Sequence, residues 1–203
     1  MYQLNAGCKD NRMMTEALIK YINQFVRLSE GEIEALTNIL VLRNLKKKEH
    51  FIKTNEICNK ALFFNEGYFR FYHTDFRGNE ITSDFYFAPS FITSYTSFIT
   101  EKPSFVNVQA MDDMDILEFK KSDLYKLYSQ HPKIERLGRL IAESVAINSE
   151  KHLFLLINQP AEIRYKNLLE KNTEYVQTIP LQYIASYLGI TQETLSRMRK
   201  SIR

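Results

Sequence analysis

The sequence has little that would staple a chain, break it into linkers or carry it across a membrane. Among 203 residues there are two cysteines, six glycines and five prolines. Cys8 and Cys58 lie far apart and make neither a disulfide framework nor a metal knuckle, so both are expected as free thiols. Two distant cysteines also cannot hold an iron–sulfur cluster, which takes about four. Scarce glycine and proline exclude a collagen-like or disordered chain. No apolar run approaches the length of a membrane span, and no charged-then-apolar leader opens the sequence, so a cytoplasmic protein without a membrane partner is expected. Catalytic patterns are missing too: there is no Ser-His-Asp spacing, no phosphate loop and no pair of catalytic carboxylates. His50, His73, His131 and His152 are scattered, with no His-x-His pair to found a cupin-type metal barrel. The chain is therefore read as a non-enzyme with no metal and no cofactor. The metalloenzyme is kept only as the weakest alternative.

Charge is nearly balanced as well, with a net of only +3, too weak to indicate nucleic acid by itself. Its distribution says more. Residues 181–203 hold Arg197, Arg199, Lys200 and Arg203 against Glu193, and four minus one is the whole excess.

That basic stretch, LQYIASYLGITQETLSRMRKSIR, reads as two helices and a turn. Leu181, Ile184 and Leu188 repeat at the 3-and-4 spacing of one buried face. Gly189 follows where a helix stop in the left-handed conformation favours a residue without a Cβ. Ile190 plugs the turn, Thr191 is a suitable N-cap, and Glu193 suits the positive end of the helix dipole. Leu195, Met198 and Ile202 form the back of the second helix. At 100° per residue, Glu193, Ser196, Arg197 and Lys200 point away from that back, flanked by Gln192, Arg199 and Arg203. Such a front suits a major groove: Arg pairs with guanine edges, Gln with adenine, and Glu accepts from cytosine. Ala185, Gly189 and Leu195 fall where a helix-turn-helix needs a close approach, a tight turn and a core plug. The plainer reading, a solvated Glu193–Arg197 pair on a terminal helix, stays open.

Residues 1–14 show no periodicity and are expected to be a loose terminus, with Met13 or Met14 as possible true starts. Helical spacing begins at Thr15, with Leu18, Ile19, Ile22, Phe25 and Val26. Ser29-Gly-Glu-Glu32 is a capping box that opens a second helix. From Val41 to Lys120 short aromatic and β-branched runs alternate with turn residues. Strands are predicted at 61–66, 68–74, 80–87, 104–110 and 114–120, with turns at Arg77-Gly78-Asn79 and Met111-Asp112-Asp113. This predicts a small antiparallel barrel or sandwich. Ser90 to Lys102 is read as a short helix and loop. Ser122 is expected to cap the helix DLYKLYSQH, and Pro132 to open the longest helix, 132–158. There Ile134, Leu137, Ile141, Ser144 or Val145, Asn148, His152 and Leu155 make a seam of heptad period, which predicts a two-fold homodimer. Gln159-Pro160 breaks the chain before a helix over 161–172.

A barrel, a long dimer helix and a C-terminal helix-turn-helix, in this order, resemble the Crp/Fnr family of bacterial transcription regulators from about residue 15 onward. Thr-Gln-Glu-Thr-Leu-Ser-Arg (191–197) looks like the family's Ser-Arg-Glu-Thr-Val-Gly/Ser-Arg, and PAEIRYKNLLEKN (160–172) like its first DNA-domain helix. The resemblance implies an α+β fold: an antiparallel jelly-roll β-barrel of the cyclic-nucleotide-binding type with N-terminal helices (15–131), a dimerisation helix (132–158) and a helix-turn-helix domain (159–203). It implies double-stranded DNA as partner, with Gln192, Glu193, Thr194, Ser196, Arg197, Arg199 and Lys200 as contact residues, Glu193 and Arg197 reading bases. An activator would also meet RNA polymerase. Gln192 stands where the family often has Arg, so the half-site is its own. The chain ends at Arg203, which leaves no β-hairpin wing.

The sensor end departs from the family. Cyclic-nucleotide binders carry Gly-Glu-Leu and Arg-Ser-Ala in the phosphate cassette. Here Pro89-Ser90-Phe91 and Pro103-Ser104-Phe105 align with them, without the Glu and the Arg. A phosphate buried there without a cation carries a heavy desolvation cost. The effector is therefore expected to be something other than cyclic AMP. Phe85, Phe87, Phe91, Tyr95 and Phe105 suggest either an apolar pocket or plain core. A partner- or small-molecule-binding module with a lapsed helix-turn-helix is the main alternative.

Overall fold

The computed structural model describes residues 6–171 and 173–202. Helices α1 (Ala6–Ile22) and α2 (Glu30–Thr37) lead into eight strands: β1 (Val41–Leu45), β2 (His50–Ile52), β3 (Lys60–Phe64), β4 (Tyr68–Thr74), β5 (Glu80–Phe87), β6 (Ser90–Ile92), β7 (Asn107–Ala110) and β8 (Met114–Lys120). Helix α3 (Tyr95–Thr100) interrupts them after β6. Then come α4 (Lys121–Gln130), α5 (Pro132–Asn158), α6 (Ala161–Lys171), α7 (Thr173–Thr178), α8 (Leu181–Leu188) and α9 (Gln192–Ile202). The strands form two four-stranded antiparallel sheets, β1-β8-β3-β6 and β2-β7-β4-β5. This is the expected α+β class with a jelly-roll barrel.

The barrel core follows from strand alternation. Leu45, Phe51, Leu62, Phe64, Phe69, Val108 and Ile116 point inward and are buried together. Outward residues of the same strands are buried too, because helices cover them. Phe63 and Leu117 pack under α1, α2, α4 and the first turns of α5. On the other sheet Tyr68 and Phe85 pack under the C-terminal helices. The capping box at Ser29 and Glu32 forms in both directions, and α5 has the bounds that its Pro132 start and Pro160 stop predict. Gly138 sits mid-helix because any Cβ there would run into the Tyr128 phenol.

Several expectations are corrected. Helix α1 begins at Ala6, not Thr15, since residues 6–14 lack the apolar stripe that would report a helix. Ser122 does not cap α4: the helix begins at Lys121, and Ser122 donates to Asp123 inside its first turn. Strands β1, β2 and β6 were not predicted, being three to five residues long with no clean alternation. Helix α7 was also not foreseen; Val176 is its one described apolar anchor. The Cys8 thiol and the Ile202 and Arg203 side chains lie outside the described residues.

Candidate functional site

At the C-terminal end the helix-turn-helix is built as its residue types dictate. Gly189 ends α8 at φ 64°, ψ 33°, in the left-handed region, and its N–H bonds back to α8. The Thr191 hydroxyl accepts the Thr194 N–H at 3.2 Å and caps α9. Leu195, Ile184 and Leu188 are fully buried and Ala185 nearly so, which locks α9 against α8 and α6. Arg164 of α6 ties this unit to the long helix: it donates to the Leu156 and Gln159 carbonyls at the end of α5 and to the Leu188 carbonyl at the end of α8. Carbonyls at helix ends lack intrahelical partners, so a guanidinium there satisfies three at once.

The front of α9 is open. Gln192, Glu193, Ser196, Arg197 and Lys200 are exposed, and Thr194 is half-buried at the cap. Among the described residues no ion pair joins Glu193 to Arg197, and the two side chains remain available to an outside partner. Glu193 is held below the usual carboxylate range, first by its own backbone N–H, then by the Thr191 hydroxyl, and only more weakly by Arg197. Arg199 departs from the expectation. It is half-buried with its guanidinium 5.4 Å from the Tyr165 ring centroid, so it braces α9 on α6.

At the sensor end a cavity of about 460 Å³ lies between the barrel mouth, α3, α4 and α5. Phe71, Tyr86, Phe91, Phe98, Phe119 and Tyr128 line it, with Ile141, Val145, Leu153 and Leu156 from α5. Among the described residues no Lys or Arg lines it; Asp84 is the one carboxylate and His152 the one imidazole. Burial pushes the Tyr128 phenol up to about 12, and Tyr86 higher still. The serines at the phosphate cassette use their hydroxyls on the chain itself. Ser94 and Ser104 share a hydrogen bond at 2.8 Å, Ser104 donates to the Val106 carbonyl at 2.7 Å, and Ser97 accepts the Cys58 N–H at 2.9 Å. All three serines are buried. These residues do not fit a cyclic nucleotide: among the described residues that line the cavity there is no cation for the phosphate, and Ser94, Ser97 and Ser104 are taken up by the chain itself.

Of the five aromatics expected near this pocket, Phe91, Tyr95 and Phe105 line it. Phe85 and Phe87 do not. Strand alternation turns them outward from β5 onto the C-terminal unit, while Tyr86 and Asp84 turn in.

The seam expected along α5 is also turned. Ile134 and Leu137 are buried against the chain's own helices and Ile141 packs on them, and His152 bonds the Tyr187 hydroxyl through Nδ1 at 3.2 Å. The apolar residues left open on the second half of α5 are Ile147, Leu153, Phe154, Leu156 and Ile157, the last 72% exposed. Sequence spacing could not separate the two faces, because both are apolar and one step apart around the helix.

Among the described residues no cluster of three or more His, Cys, Asp or Glu is placed to hold a metal ion, and no helix is long and apolar enough to cross a membrane. Residues 42–131 match the cyclic nucleotide-binding domain family. No curated protein matches the sequence. Solved structures do resemble the model. FixK2 from Bradyrhizobium japonicum superposes with a TM-score of 0.69 at 19% identity, over 81% of this chain and 84% of its own. The c-di-GMP-responsive global regulator CLP from Xanthomonas campestris gives 0.68 at 14% identity, over 86% and 91%. A protein described as a transcriptional regulator of the Crp/Fnr family, from Eubacterium rectale, gives 0.66 at 18% identity, over 86% and 83%. Residues 42–131 are thus similar to a cyclic nucleotide-binding domain, and the chain as a whole has a fold like that of these regulators.

Proposed function

We propose that the protein is a sequence-specific DNA-binding transcription regulator of Crp/Fnr type. It works as a homodimer, with Gln192, Glu193, Ser196, Arg197 and Lys200 facing the major groove and Thr194 at the entry of the reading helix. The observation that carries this reading is α9: its back is fully packed through Leu195, and Gln192, Ser196, Arg197 and Lys200 on its front are exposed and in no ion pair among the described residues. Glu193, ionised and presented by the Thr191 cap, is set to accept from a cytosine, and Arg197 to donate to a guanine. Lys200 supplies phosphate attraction.

Dimerisation is supported by the open apolar residues of α5, which a second copy of the same helix would bury about a two-fold axis. That arrangement sets two reading helices one helical turn apart, about 34 Å. Whatever biases the dimer at the barrel is not cyclic AMP. The aromatic cavity suits a largely apolar, uncharged molecule.

Selection from a randomised duplex pool tests the proposal, using wild type and Arg197→Ala side by side. A two-fold-symmetric site enriched by wild type and lost on Arg197→Ala is expected. Failure of wild type to enrich any sequence would favour the lapsed-module alternative.

A further inference from the structure

Among the described residues Arg70 is the largest fully buried side chain, and it lies outside both the barrel core and the cavity. Its place on β4 turns it onto the outer face of the sheet, beneath α8. Nε donates to the Thr82 hydroxyl at 2.9 Å and Nη1 to the Glu80 carboxylate at 2.6 Å. The guanidinium carbon stands 4.3 Å from the Tyr72 ring centroid and 3.7 Å from that of Tyr183. Tyr183 belongs to α8, so an arginine of the barrel is stacked between one ring of its own sheet and one ring of the helix-turn-helix. Nη2 is buried without a hydrogen-bond partner. A buried cation with an unmet N–H is a poor device for stability alone, since an apolar side chain of similar size would cost less. What it supplies is a planar group that accepts a ring only from fixed directions.

A second, independent contact fixes the same pose. Strand β5 is an edge strand, and its free backbone groups need partners. Ser186 of α8 provides them: its hydroxyl accepts the Thr82 N–H at 2.9 Å and donates to the Glu80 carbonyl at 3.2 Å. Tyr187 adds a ring contact with Phe85, centroids 5.5 Å apart. The docking uses α8 and leaves the front of α9 exposed, so it presents the reading face rather than hiding it.

We propose that Arg70 and Tyr183 form a clamp that sets the pose of the DNA-reading unit on the barrel, which makes Arg70 a positioning residue for DNA recognition. The inference rests on the DNA-reading proposal above. Without the clamp, the unit is held by the Gln159-Pro160 joint, the Arg164 tie and the Ser186 and Tyr187 contacts on β5, which leave its angle on the barrel less firmly set. Each half-site is still read, but the fixed separation of the two reading helices is lost.

The test uses the full-length protein with Arg70→Met, Tyr183→Leu, the double variant and Tyr183→Phe. Amide exchange at Thr82, whose N–H bonds Ser186 across the contact, is measured without DNA. Arg70→Met and Tyr183→Leu are each expected to speed it about tenfold or more, the double variant no further, and Tyr183→Phe not at all, with β8 amides unchanged. Duplexes carrying two half-sites at separations stepped by one base pair are then titrated. Wild type is expected to prefer one separation by about tenfold over its neighbours, and Arg70→Met to lose that preference while single half-sites bind as before. Unchanged exchange at Thr82 would overturn the clamp, and so would exchange that rises throughout the barrel, which marks a plain stability role. If no variant binds any duplex, the DNA reading itself falls, and the exchange result still decides the clamp.

Discussion

The C-terminal helices and the barrel cavity of this chain treat their polar side chains in opposite ways. At α9 Gln192, Ser196, Arg197 and Lys200 are exposed and in no ion pair among the described residues, with the fully buried Leu195 behind them holding them in place. At the cassette between β6 and β7 the polar side chains are buried and spent on each other: Ser94 on Ser104, Ser104 on Val106, Ser97 on the Cys58 amide. Exposed donors stay free for an outside partner, and buried donors close on one another. On the proposed reading, the same fold carries a module suited to an anionic polymer and a cavity unsuited to an anionic small molecule.

The largest effect should come from the reading end. Each lost bidentate Arg–guanine contact costs about 1–3 kcal/mol, and a dimer loses two, so Arg197→Ala should lower affinity for the selected site on the order of a hundredfold or more. Thermal unfolding should not move, because Arg197 is exposed and outside any ion pair among the described residues; a large loss of stability would break the contrast between spent and unspent side chains. Leu195→Ala works from the other side of the same helix. Truncating a fully buried leucine should destabilise the C-terminal unit by about 2–5 kcal/mol in denaturant titration. Leu153→Asp with Ile157→Asp sharpens the account of α5: both residues are exposed in the single chain, so the fold should persist while sedimentation reports a monomer and palindrome affinity falls about tenfold or more.

The smallest effect is a pH dependence. His50, bonded to the Tyr72 hydroxyl at 2.8 Å, has its pKa lowered, chiefly by burial and then by Lys53. A histidine depressed in the folded state binds fewer protons there than in the unfolded chain, so its stabilising contribution is present above its ordinary value near 6.5 and fades as pH falls below that value. Wild type should therefore lose more melting temperature than His50→Gln on going from pH 7 to pH 5. Equal losses would show that His50 contributes nothing to the slope.

What could be read in the sequence was what local spacing encodes. The α8–α9 turn was legible because Gly189, Thr191 and Leu195 each answer a local demand within a few residues. Strands β4, β5 and β8 were legible from alternation, and α5 from its two prolines. The cassette's missing Glu and Arg could be read by comparison with the family pattern alone. Convergence was not legible. Nothing near Arg70 in sequence announces Tyr183, more than a hundred positions later, and the phenylalanines of β5 could not be assigned to pocket or interface without knowing which face of the sheet each helix covers. Arg199 looked like its exposed neighbours because only the folded unit brings Tyr165 against it.

The claim that joins the two ends is that this chain reads DNA without cyclic AMP. Titrating the selected duplex with wild-type protein, in the absence and presence of saturating cyclic AMP at fixed salt, tests it most directly. Tight, specific binding that cyclic AMP leaves unchanged is the expected result. A rise of tenfold or more on adding cyclic AMP would show that the aromatic, cation-free cavity accepts the nucleotide after all, and would contradict the account of the sensor end.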